Sequence, residues 1–90
     1  MKDNLKKIID YYGEEKQIIK AIEEMSELQK ELCKKLLGKS DRDSLVEEIA
    51  DVQIMLDQLK IIVSVDGLIQ IELRTIMQNK IDRTIERMNQ

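Results

Sequence analysis

The apolar positions of the chain recur at helical spacing, and its few breakers fall between the runs. Leu5, Ile8, Ile9 and Tyr12 mark a first segment that Gly13 closes. Gly38 lies in GKSDRDS, the one stretch that reads as a loop, and Gly67 lies in SVDG, which reads as a turn. The pattern predicts four helices, over 3–12, 14–37, 43–64 and 68–88, in an all-α bundle forming a single domain over residues 1–90. Ser44 or Asp43 is the expected cap of the third helix, with Glu47 completing a capping box behind Ser44.

The fourth helix is an ordinary amphipathic one, with Ile69, Leu73, Ile76, Met77, Ile81, Ile85 and Met88 on one stripe. The third is apolar on two faces. Ile49, Val52, Met55, Leu56, Leu59, Ile62 and Val63 make one, and Val46, Ala50, Ile54 and Ile61 the other. A helix apolar on two sides is expected to be covered on both, here by its own bundle and by a second subunit.

One carboxylate breaks this pattern. Val52, Met55, Leu59 and Ile62 stand at i+4, i+7, i+11 and i+14 from Glu48, so the core stripe of the third helix runs into Glu48. Asp51 follows at i+3, at the edge of the stripe, where two side chains can share a ligand. A lone buried carboxylate is costly and two together repel, unless a cation compensates them. The second helix carries Gln17, Lys20, Glu24, Glu27 and Glu31 on one polar stripe, with Ile18, Ile22, Met25, Leu32 and Leu36 on its other side. Taken alone, those glutamates read as a solvated face. The short loop makes the two helices antiparallel neighbours, so Glu24, Glu27, Glu48 and Asp51 are expected to converge. Oxygen-only ligands suit Mg²⁺ or Mn²⁺. On the fourth helix Lys80, Arg83 and Arg87, with Asn79 beside them, form a basic stripe. It reads either as a solvated face or as a grip for phosphate oxygens.

Composition narrows the chemistry. The ninety residues carry no histidine, which excludes Glu-x-x-His di-iron bundles, Ser-His-Asp triads and His-ligated zinc. Cys33 stands alone, so no intramolecular disulfide forms and a cytoplasmic location is expected. The N-terminal stretch lacks a signal-peptide pattern, and the longest apolar runs, such as Ile61-Ile62-Val63, are far too short for a membrane span. A net charge of −3 argues against general nucleic-acid binding. Two tyrosines are the only aromatics, so a chain this small is expected to borrow core from a partner.

The two acidic groups, Glu23-Glu24-Met25-Ser26-Glu27 and Glu48-Ile49-Ala50-Asp51, resemble the E-E-x-x-E and E-x-x-D halves of the MazG-like, all-α nucleoside triphosphate pyrophosphohydrolase superfamily. The surrounding AIEEMSELQKEL and LVEEIADVQIML are similar to it as well, and the resemblance runs from about Tyr12 to Arg87. It implies a helical bundle completed by oligomerisation, as a dimer or a tetramer built from dimers. It implies Mg²⁺ held by Glu24, Glu27, Glu48 and Asp51, with Glu23 in the outer shell and Glu27 or Glu24 as general base. Lys80 and Arg83 resemble the family's K-x-x-R phosphate-binding element, with Asn79 a weaker match, although Ile81 stands where an aromatic is usual. Tyr12-Gly13 followed by Gln17 is similar to the entry of many small members and implies contacts to base or sugar. The implied reaction cleaves a (deoxy)nucleoside triphosphate between its α and β phosphates. Two alternatives stay open: a non-enzymatic helical interaction module, and a relative acting on another nucleotide such as phosphoribosyl-ATP.

Overall fold

Glycines and side-chain caps cut the chain into its helices. The computed structural model describes all residues, Met1–Gln90. It contains α1 (Lys2–Tyr12), α2 (Glu14–Leu36), α3 (Arg42–Val63) and α4 (Ile69–Met88), and no strands. Gly13 alone separates α1 from α2. Its φ of 95° lies where a side chain would be strained, and its N–H still closes α1 on the Ile9 carbonyl at 2.8 Å. α2 ends in a Schellman motif around Gly38 at φ 72°, in which Lys39 N–H donates to the Lys34 carbonyl and Gly38 N–H to that of Lys35.

The cap of α3 is Asp41, not Ser44 or Asp43. The helix begins at Arg42, so both expected caps already lie in its first turn. They donate to Asp41 instead, Asp43 through its N–H at 3.4 Å and Ser44 through its hydroxyl at 3.1 Å.

α2 and α3 pack against each other along their lengths as an antiparallel pair, α1 lies across both, and α4 approaches α3 alone. The buried residues are Ile9 of α1, Gln17 and Ala21 of α2, and Met55 and Gln58 of α3. The core therefore sits where three helices meet, and two of its members are amides. α3 turns the predicted stripe inward, with Glu48, Val52, Leu59 and Ile62 half-buried beside Met55.

α2 turns inward its seam of Gln17, Ala21, Glu24, Leu28 and Glu31. Its apolar residues Ile18, Ile22, Met25, Leu32 and Leu36 are left exposed, as are Val46 and Ile54 on the second face of α3 and Ile49, expected on its first. α4 buries none of its stripe fully; only Ile69 and Leu73 are half-covered. The outcome is an open shape of 43 × 34 × 20 Å. Its radius of gyration is 16.1 Å, whereas about 12 Å is expected for a compact chain of this length. Ion pairs do not tie the helices together. Four are local i,i+3 or i,i+4 pairs within one helix and the fifth joins neighbours Arg42 and Asp43, so association of the helices rests on apolar packing. No helix is long and apolar enough to cross a membrane.

Candidate metal centre and adjoining cleft

Three of the four expected carboxylates meet. Glu24 of α2 and Glu48 and Asp51 of α3 each bring an oxygen within 4.8 Å of the other two. Helix geometry accounts for the meeting. Glu48 and Asp51 are one turn apart on α3, and Glu24 belongs to the seam that α2 presses on that turn. Glu27 does not join them. It lies a turn beyond Glu24 but off the seam, half exposed, with only a loose 3.8 Å approach from Lys30. Glu31 is more enclosed than Glu27 and is held at 3.0 Å by Lys34. Glu23 stands outside the trio and borders the cleft described below.

The electrostatics single out Glu48. Its Oε2 is out of contact with solvent and accepts no hydrogen bond. Loss of water raises its carboxyl above the usual 4.5, and the charges of Asp51, Glu24, Glu27 and Glu31 push it the same way. No cation of the chain offsets this at Glu48; Lys20 reaches Glu24 at 3.5 Å and goes no further into the group. An orphaned carboxylate oxygen among like charges fits a missing positive charge. The donors are all carboxylate oxygens, so the group that fits is a hard divalent cation.

Beside the trio lies an open cleft of about 470 Å³, between α1, α2 and α3. Tyr12 and Gln17 both line it, together with Lys20 and Glu23. Tyr12, half exposed at the mouth, meets Tyr11 edge-to-face at 4.8 Å. Gln17 is 5% exposed and makes no side-chain hydrogen bond, so it is not the surface polar residue its stripe suggests. Gln58, which the motifs do not point to, is buried in the same wall. Its signal in the sequence is an amide placed i+3 from Met55 and i+7 from Asp51, on the inner edge of α3.

Asn79, Lys80 and Arg83 are exposed on α4. Because α4 approaches α3 alone, the single chain does not bring them to the Glu24 side of the carboxylates. No family model, curated protein or solved structure matches the chain.

Proposed function

We propose that the chain is a Mg²⁺-dependent nucleoside triphosphate pyrophosphohydrolase, with Mn²⁺ as an alternative ion, which cleaves between the α and β phosphates. The observation that carries this reading is the convergence of Glu24, Glu48 and Asp51, with Oε2 of Glu48 buried and without a partner. The match of those residues to E-E-x-x-E and E-x-x-D gives the convergence its chemistry.

Glu24, Glu48 and Asp51 would hold the ion. When bound, it neutralises phosphate charge and lowers the pKa of a coordinated water. Glu27, one turn from Glu24 and open to solvent, is placed to accept the proton of the attacking water. The water oxygen bonds to the α phosphorus as the bridging oxygen leaves with pyrophosphate. Lys80 and Arg83 bind the phosphates, where positioning and charge supply most of the rate. Glu23 lies in the outer shell of the ion, and Tyr12, Gln17 and Asn79 face the base or sugar.

The basic stripe reaches the carboxylates through a second copy of the chain in this reading, as a homodimer or a dimer of dimers. Exposed area supports that assembly. The chain exposes 7576 Å², whereas a compact monomer of its mass exposes about 5,500 Å². The excess, about 2,000 Å² per chain, is well above the roughly 800 Å² per partner of a standard interface.

The test is product analysis over a panel of canonical and modified (d)NTPs, with Mg²⁺ and then with EDTA. Pyrophosphate that needs the metal, with no orthophosphate, is the expected result. Absence of release from every nucleotide, by folded and assembled protein, would move the assignment to a helical interaction module.

A further inference from the structure

The core of this small chain contains two amides, and the oxygen of one of them, Gln58, has nothing to bond to. Gln58 is 2% exposed and Gln17 5%, and neither side chain makes a hydrogen bond. Gln58 Oε1 is, with Glu48 Oε2, one of two buried polar side-chain atoms left without a partner. A buried amide oxygen left unpaired opposes folding, and a marginal core gains nothing from keeping one.

The cleft lies against that amide. Gln58 lines it with the apolar walls Ile8, Tyr12, Ile19, Ile54 and Met55. Its place along the helices is set by the carboxylates. Gln58 is seven residues from Asp51 on α3, and Gln17 seven from Glu24 on α2. Seven residues make two turns, so each amide shares an edge with its carboxylate, about 10 Å further along. The antiparallel pairing puts both amides at the same end. A carboxylate layer is thus followed, at about the span a ribose leaves between phosphates and base, by an amide layer between apolar walls.

We infer that Gln58 is a nucleobase-binding residue that pairs with the hydrogen-bonding edge of a base, while the apolar walls of the cleft cover the faces of the ring. The inference rests on the nucleotide reading above and deepens it. A carboxamide offers a donor and an acceptor side by side, the complement of the paired donor and acceptor on a base edge. With no internal partner to fix it, the Gln58 amide can turn either end to the ligand, so it demands a base edge without demanding one particular base.

The experiment compares the intact chain with Gln58→Met, a swap that keeps length and volume and removes both polar atoms. The probes are dCTP, dTTP, dATP, dGTP and abasic deoxyribose 5′-triphosphate. Thermal unfolding without ligand is measured beside equilibrium binding. The expected result is an unchanged or higher Tm, because an orphaned amide has been replaced by an apolar group of like shape. Affinity for the best-bound nucleotide falls roughly tenfold, toward that of the abasic probe, the loss of about one hydrogen bond. Affinity for the abasic probe itself stays put. A lowered Tm with nucleotide affinities intact would make Gln58 a structural amide and overturn the inference. So would an equal loss on nucleotides and abasic probe. Pyrophosphate release by the wild type separates the two claims. Turnover with a Gln58→Met ratio of one for every base sinks the inference alone. Base-dependent binding that Gln58→Met removes, without release from any triphosphate, sinks the reaction and leaves Gln58 its role.

Discussion

Glu48 combines a buried, unpartnered oxygen with a carboxyl raised by its surroundings. Its carboxyl is raised above 4.5 in the folded chain, by loss of water and then by four neighbouring carboxylates. An acid whose folded value is raised opposes folding when ionised. The stability it permits is therefore complete below 4.5 and is lost as pH rises through the folded value. Without divalent metal, the wild type is expected to gain Tm as pH falls from 7 toward 4.5. Glu48→Gln, neutral at every pH, should flatten that portion of the profile. Thermal scans of both proteins over pH check this, and parallel profiles would remove Glu48 as the source. The residue was legible in the sequence because a carboxylate interrupts a core stripe, with apolar residues at i+4, i+7, i+11 and i+14; a helix-end position that escapes burial was the other reading, and the packing of α2 on α3 turns Glu48 inward instead. Gln58 was not legible in the same way. Glutamine is unremarkable on a helix, and only the placement of α1 over its edge of α3 shows it to be buried.

At the level of the helices, existence and order followed from periodicity and three glycines, and the boundaries lie within a residue or so of those expected. The cap of α3 was the exception. The motif Ser44…Glu47 satisfies a capping box on paper, but Asp41 reaches the first turn earlier and takes donors from both Asp43 and Ser44. Asp41→Ala is expected to cost about 1 kcal/mol, read by denaturant unfolding, whereas Glu47→Ala should be near neutral. The α2 seam of Gln17, Ala21, Glu24, Leu28 and Glu31 faces α3, which leaves Ile18, Ile22 and Met25 facing out. Glu27 was grouped with Glu24 by helical spacing and by the resemblance to E-E-x-x-E. The wheel puts it some way round from the Ala21–Leu28 seam, and the structure leaves it half exposed.

The single chain leaves much apolar surface open to solvent. An α4 that buries no residue fully, an apolar face on α2 and a second on α3 together leave more surface than a compact monomer would show. Sequence reasoning reached the two-faced α3 but read α4 as an ordinary packed helix, since amphipathicity says which face is buried and not against what. Ile22 is 60% exposed in the single chain, so Ile22→Glu would be close to neutral for a monomer. For the proposed oligomer, light scattering should show the native protein as a dimer or tetramer and the variant shifted toward smaller species. A native monomer at micromolar concentration would contradict the assembly. The basic residues of α4 would then remain apart from the carboxylates.

The central claim is that Glu24, Glu48 and Asp51 form one divalent-cation site. Thermal unfolding of the wild type and of Glu48→Gln across a Mg²⁺ titration at pH 7 tests it most directly. A ligand that binds only the folded state raises Tm as its concentration passes Kd. The account predicts a rising curve for the wild type. It predicts a flat curve for Glu48→Gln, starting from an equal or higher metal-free Tm because the uncompensated charge is gone. Equal rises in both proteins, or no rise in either, would contradict it.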